Sequence, residues 1–280
     1  MVAFPTETVY GLGANALDPA AIDKIYAAKG RPPSSPLIVH VSSIEMARGL
    51  VREWPERAEK LARIFWPGPL TLVLPKQPQV PDRLTGGLDT VGVRMPANPI
   101  AQELIREAGV PIAAPSANRF TELSPTSAQH VRDGLGERVA MVLDGGRTTV
   151  GIESTVLSLV GLRAVLLRPG MVTRQEIEAV IGPVDVLGAV AEGAHASPGL
   201  HPRHYSPKTP LILVERGNLP SSGRGICIQM PAEPREYATV LYERLHAADA
   251  EGWDWIAIEQ PPSGEEWAAI RDRLQRAAAR

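Results

Sequence analysis

Proline occupies 27 of the 280 positions, and its placement constrains the fold more than any other feature of the chain. A proline fixes φ and removes an amide donor, so it belongs at helix starts, strand ends and turns. Most prolines here sit at such points, which predicts many rigid, shaped loops rather than a low-complexity tract. The pattern predicts strands at Val2–Phe4, Leu37–Val41, Leu70–Leu74, Val91–Arg94, Val110–Ala114, Val139–Leu143, Thr155–Val160 and Ala164–Leu167, each bounded by Gly, Pro or Ser. Asp18-Pro19 and Asn98-Pro99 each open a helical pattern that ends at Gly30 and Gly109. An N-cap, a proline at the first helical position and a terminal glycine agree in both. Thr173-Arg174-Gln175-Glu176 has the form of a capping box that starts a third helix. The fold class expected is α/β with a twisted mixed sheet.

The residues are 44% hydrophobic and 21% charged, enough apolar material for a sizeable core and unlike a disordered tail. No apolar run approaches the roughly 18 residues a membrane span needs. Met1 begins almost inside an apolar stretch with no basic region before it, so no signal peptide is expected. Cys227 is the only cysteine, which excludes a disulfide scaffold or a cysteine-based zinc site and fits a reducing cytoplasm. The net charge of −2 divides unevenly: residues 1–175 carry 19 Lys/Arg against 16 Asp/Glu, and the remainder 10 against 15. An excess of three positive charges over that length is far from a nucleic-acid patch.

From about Leu187 to Thr209 neither period persists, yet His201, Arg203, His204 and Tyr205 cluster there among prolines. Beyond it, Leu211–Val214, Gly225–Ile228 and Trp255–Ile258 read as strands, with a helix around Glu236–Ala248 and another from about Glu265. The division expected is a catalytic domain at 1–185, a linker or lid at 186–209, and a small α/β domain at 210–280. A stretch of this length without regular structure implies function or disorder. The functional reading is a lid, carrying Tyr205, that folds back over a site in the first domain, with the second domain as its anchor.

Generic catalytic signatures are missing: there is no Walker loop, no Gly-x-Gly-x-x-Gly after a strand and no His-Glu-x-x-His. Tyr10-Gly11-Leu12-Gly13 reads either as a weak glycine signal or as a tight turn needing positive φ. Lys29-Gly30-Arg31-Pro32, Arg94 and Arg168 place cations at the ends of core elements, suited to carboxylate or phosphate or, singly, to a solvated terminus. Ser116 and Asn118 could form part of a nucleophile set, but no Ser-x-x-Lys supplies a base, so hydrogen bonding to a polar substrate suits them better. Glu153 reads as a structural salt bridge, and His40 as a core histidine or a ligand contact.

Ten motifs then occur in order. Phe4-Pro-Thr-Glu-Thr-Val-Tyr-Gly-Leu-Gly13, Lys29-x-Arg31-Pro, Pro36-Leu-Ile-Val-His40, Trp66-Pro-Gly-Pro-Leu-Thr71 and Thr90-Val-Gly-Val-Arg-Met-Pro96 come first. Ala114-Pro-Ser-Ala-Asn118, Ser124-Pro-Thr126, Asp144-Gly-Gly146, Glu153-Ser-Thr-Val156 and Leu167-Arg-Pro-Gly170 follow. Together they resemble the YrdC-like threonylcarbamoyl-adenylate synthase family. Ser197-Pro-Gly-Leu-His-Pro-Arg-His-Tyr-Ser-Pro207 and the α/β tail resemble the linker and Rossmann-like extra domain of its long two-domain form. Those members usually carry a helix before the first motif, whereas Met1 here sits almost on it.

The resemblance implies a nucleotidyltransferase that makes threonylcarbamoyl-AMP and pyrophosphate from L-threonine, bicarbonate and ATP, with Mg²⁺ accompanying the ATP. Its product serves threonylcarbamoyladenosine formation beside the tRNA anticodon, through a downstream tRNA threonylcarbamoyl transferase. It leaves room for a weak contact with tRNA or double-stranded RNA and expects no membrane. By motif, Thr8, His40, Arg94, Ala114 and Ser154 match threonine-contacting positions, with Arg94 facing the carboxylate. Arg31, Ser35, Thr90, Ser116, Ser124, Arg168 and Tyr205 match ATP-contacting positions, and Lys29 and Asn118 belong beside the phosphates. Lys29, Arg31 and Arg94 are the expected catalytic cations. A double-stranded RNA-binding module and a carbamoyl-adenylate-forming carbamoyltransferase are the alternatives. The first would need stacked aromatics, which at 5% are scarce; the second carries zinc-finger cysteines in its known setting.

Overall fold

The computed structural model describes residues 1–186, 204–215 and 218–279. His201, Arg203 and most of the expected linker lie outside the described residues. The first part forms a sheet of ten described strands: β1 Val2–Phe4, β2 Gly11–Asn15, β3 Ile38–His40, β4 Leu70–Pro75, β5 Thr90–Arg94, β6 Ile112–Ala113, β7 Met141–Val142, β8 Thr155–Ser158, β9 Ala164–Arg168 and β10 Val184–Val186. They lie in the order β10-β9-β8-β4-β5-β3-β6-β2-β1-β7. Parallel pairs such as β3 with β5 alternate with antiparallel ones such as β4 with β5, so the sheet is mixed.

The caps act as the sequence predicts. Asp18 accepts from the amides of Ala20 and Ala21, Asn98 does the same for Ile100 and Ala101, and Gly30 and Gly109 each close their helix at φ 64°. Both halves of the Thr173–Glu176 capping box form at the head of the helix Arg174–Ile181. The helices Ile44–Arg48, Glu56–Phe65 and Ala128–Leu135 were not anticipated. Four expected strands are shorter: Leu37–Val41 and Thr155–Val160 contract to β3 and β8, Val110–Ala114 to β6 because Pro111 and Pro115 bracket it, and Val139–Leu143 to β7 at the sheet edge.

The glycines of Tyr10-Gly-Leu-Gly13 do not make a tight turn. They lie in β2, and neither has a positive φ. Gly13 is required by close approach instead: a Cβ there would stand 2.7 Å from the Phe4 ring and 3.0 Å from Ile112.

The last part carries β11 Leu211–Val214, β12 Gly225–Ile228 and β13 Trp255–Glu259, all parallel in the order β11-β13-β12. The helices Pro234–Asp249 and Ala268–Ala278 accompany them. This part is not a loosely tethered body. Val9, Leu123 and Ile152 of the first part and Tyr205 of the linker belong to the same buried cluster as Leu241, Tyr242, Ile270 and Leu274. No helix among the described residues is long and apolar enough to cross a membrane.

Replacing Gly13 tests the close approach. Gly13→Ala is expected to destabilise the fold by about 1–3 kcal/mol, as overpacking does, and to lower the thermal midpoint accordingly. An unchanged midpoint would contradict the packing account.

Candidate active site

Strand directions assemble the site. His40 and Arg94 end the parallel neighbours β3 and β5 in direct register. Because β4 runs against β5 and β8 runs with β4, Thr71, second in β4, and Ser154, just before β8, lie at that same edge. Arg168 ends β9, which runs against β8, and so arrives there too. The loop Ala114–Asn118 is laid beside β2 by Leu12 N–H to Pro115 O and Ala117 N–H to Tyr10 O, both 2.8 Å.

A narrow cavity of about 50 Å³ opens at this edge. Thr8, His40, Arg94, Ala114, Ser154, Arg31, Ser116, Arg168, His204 and Tyr205 all line it. All five expected threonine-contacting residues and four of the seven expected ATP-contacting ones thus line one cavity. Five expected residues are not in its wall. Lys29 lies behind, buried, donating to Ser116 O at 2.6 Å and to Asn118 O. Asn118 ties Arg119 O and Glu122 O at 2.7 and 2.8 Å, and Ser124 donates to Glu153 Oε1 at 2.5 Å. Ser35 offers its carbonyl to Tyr26 at 2.9 Å. Thr90 begins β5, four residues and about 13 Å along the strand from Arg94. Thr6, Glu7 and His204 were not singled out as site residues.

Arg94 does not wait with a free guanidinium. Its Nη2 faces Glu7 Oε1 at 2.7 Å, Nη1 donates to Thr8 Oγ1 at 2.9 Å, and Nε to Gly68 O at 3.3 Å. Glu7 is anchored in turn by the Ala97 amide at 3.0 Å. Next to this pair His40 is buried, its Nδ1 without a partner among the described residues. Burial, and then Arg94, lower its pKa to about 3, so it is a neutral hydrogen-bonding group at physiological pH. Ser154 Oγ lies 2.8 Å from Thr71 Oγ1 and accepts from Arg168 at 3.2 Å.

Around Arg31 the site is strongly cationic. Arg31 is held by the carbonyls of Ser35 and Pro36, and burial lowers its pKa to about 10. Burial drives Lys29 well below its ordinary value, with Arg31 adding to the effect. His204 stands among them, kept neutral by burial and by Arg31, Lys29, Arg168 and Arg273. The next residue, Tyr205, has φ 62°, and Thr121, whose carbonyl accepts from the Ser206 amide at 2.9 Å, has φ 70°. Left-handed backbone at two non-glycine residues costs about 1–3 kcal/mol each and concentrates at functional sites.

Two family models cover the chain: one described as "Telomere recombination" matches residues 1–170, and "Threonylcarbamoyl-AMP synthase, C-terminal domain" matches 172–279. The chain is 53% identical over 218 residues to the threonylcarbamoyl-AMP synthase of Pyrococcus abyssi, covering 77% of this chain and 64% of that protein. It is 42% identical to the one from Bacillus subtilis over 99% of this chain and 89% of that protein. The crystal structure of P. abyssi Sua5 complexed with L-threonine superposes with a TM-score of 0.93 at 42% identity, covering 99% of this chain and 90% of that one.

The buried neutral histidines fix a pH dependence. His40 and His246, lowered to about 3 and about 4, take up no proton in the folded state as pH falls below 6.5, whereas the unfolded chain does. Stability should therefore fall from pH 6.5 downward, at about 1.4 kcal/mol per pH unit for each histidine. Urea unfolding at pH 7.5 and 5.5 checks this, and His40→Asn should flatten the slope by its share. A wild-type stability unchanged over that interval would contradict the assignment.

Proposed function

The chain belongs to the two-domain threonylcarbamoyl-AMP synthase family, and from that premise we infer that it is a nucleotidyltransferase making threonylcarbamoyl-AMP from L-threonine, bicarbonate and ATP. The observation that carries this reading is the cationic corner. Lys29 and Arg31 are buried against backbone carbonyls, next to Arg168. Burying a cation costs several kcal/mol unless an anion meets it. A site prepared this way is stabilised most by a polyanion, and a triphosphate supplies one.

Carboxylation of the threonine amine gives a carbamate and water. A carbamate oxygen then attacks the α-phosphorus, and the bond to the β-phosphate bridging oxygen breaks to release pyrophosphate. The ammonium proton is lost to solvent before carboxylation, and the carbamate oxygen is already anionic, so its attack on phosphorus needs no general base. Arg31 and Arg168 neutralise charge that shifts onto the leaving pyrophosphate, while Lys29 behind them holds the Ser116–Asn118 loop. Thr8, His40, Ala114 and Ser154 hold the amino acid. Arg94, committed to Glu7, receives the substrate carboxylate as a third member of that cluster rather than as a vacant partner. Ser116, Asn118 and Ser124 shape the nucleotide loop, and Ser35 and Thr90 would meet ATP only outside the described cavity.

Mg²⁺ enters this scheme only with the phosphates of ATP. Of the two carboxylates nearest the cavity, Glu7 faces Arg94 and Glu153 faces Arg273, and the described residues offer no metal-ligating cluster. These residues do not fit a protein-built cage. His204 and Tyr205 act as a lid over the nucleotide: they wall the same cavity as Arg31 and Arg168. The downstream tRNA transferase and a weak tRNA contact complete the proposal.

Pyrophosphate release should require ATP, threonine and bicarbonate together, and omission of any one should abolish it. Release without threonine would contradict the reading. Arg31→Met is expected to weaken ATP binding by about 2–5 kcal/mol, as loss of a buried charge partner does, with threonine binding little changed in calorimetry. Equal loss of both would assign Arg31 to the loop structure instead.

A further inference from the structure

The C-terminal helix Ala268–Ala278 sends one side chain into the first domain. Arg273 is completely buried, and its guanidinium is spent on several groups at once. Nε donates to Glu153 Oε2 at 2.7 Å, Nη2 to Pro169 O at 3.1 Å and to Glu153 O at 3.4 Å, and Nη1 to Asp272 at 2.6 Å. The cation also lies 5.2 Å from the centroid of the Tyr205 ring. Tyr242, from the other C-terminal helix, donates to Glu153 Oε2 at 3.0 Å, while Ser124 holds the second carboxylate oxygen.

The sequence positions of these partners matter. Glu153 precedes Ser154, and Pro169 follows Arg168. Arg168 and Ser154 are bonded to each other by Nε to Ser154 O at 3.1 Å as well as through the hydroxyl. One guanidinium from the second domain therefore grips the backbone on both sides of a serine–arginine pair in the cavity wall, and packs under the lid tyrosine. Arg273 itself is not in that wall.

Stability alone does not account for this arrangement. A buried ion pair is a poor source of stability, and well-packed apolar replacements are often neutral or better. What an arginine contributes here is fixed, multidirectional geometry. We propose that Arg273 is a positioning residue of the adenylation site: through Glu153, the Pro169 carbonyl and the Tyr205 ring it sets Ser154, Arg168 and the lid, so the second domain is a working part of the pocket. This rests on the functional reading above.

The test uses the full chain with Arg273→Lys and Arg273→Met. Lysine keeps the charge but cannot reach the carboxylate and both carbonyls together. The expected result for Arg273→Lys is a folded protein whose kcat for pyrophosphate release falls at least tenfold, with the ATP Kd from calorimetry changed less than about threefold. A misplacement near 1 Å can cost about a hundredfold in rate. Arg273→Met should fall further, and if it does not fold, the lysine variant decides. If either folded variant keeps half the wild-type kcat after correction for its folded fraction, the proposal is wrong. Hydrogen exchange gives a readout independent of turnover. Peptides covering residues 150–156 and 204–206 should exchange at least tenfold faster in Arg273→Lys, while those covering Pro19–Lys29 stay unchanged. Should the wild type release no pyrophosphate, the functional reading fails, and the exchange pattern alone then upholds or overturns the role of Arg273.

Discussion

The structure depends on one buried carboxylate. Glu153 is 7% exposed and sits where the first sheet, the Ser124 loop and the last two helices meet. Burial alone would raise its pKa, yet Arg273 and Arg168, with the hydrogen bond from Ser124, hold it below the usual value. Because that pKa is depressed, its contribution to stability is present above the unfolded value of about 4.3 and is lost only in acid. An uncompensated charge at this place would cost several kcal/mol. The two domains are thereby committed to each other, and the apolar cluster from Val9 and Ile152 to Leu241 and Ile270 closes around the same point.

The site itself shows the opposite balance. Glu7 and Glu153 are matched to Arg94 and Arg273, whereas Lys29 and Arg31 are met by carbonyl dipoles. Those carbonyls come from tight loops: Pro36 precedes β3, and Ser116 and Asn118 follow β6. The proline-rich loops are therefore not incidental. They fix the backbone so that its carbonyls hold the buried cations in place.

Much of this was legible in the sequence. Capping residues announced the helices Pro19–Lys29, Pro99–Ala108 and Arg174–Ile181 because those signals are local. Arg94 and Arg168 were recognisable as strand-end cations for the same reason, and the Glu153 salt bridge was anticipated in kind. Its partner was not, since Arg273 is 120 residues away in sequence and nothing near it distinguishes it from a solvated helix arginine. The role of Gly13 was missed because its constraint is the Phe4 ring across β1, a tertiary contact with no local signature. Glu7 was passed over within its motif because only the fold shows that it already faces Arg94.

The central claim is that the domains form one folded unit around Glu153, with the site built across their boundary. Scanning calorimetry of the full chain tests it directly. One transition is predicted, with calorimetric and van't Hoff enthalpies equal. Two separable transitions, with the second domain melting while the first remains folded, would contradict it.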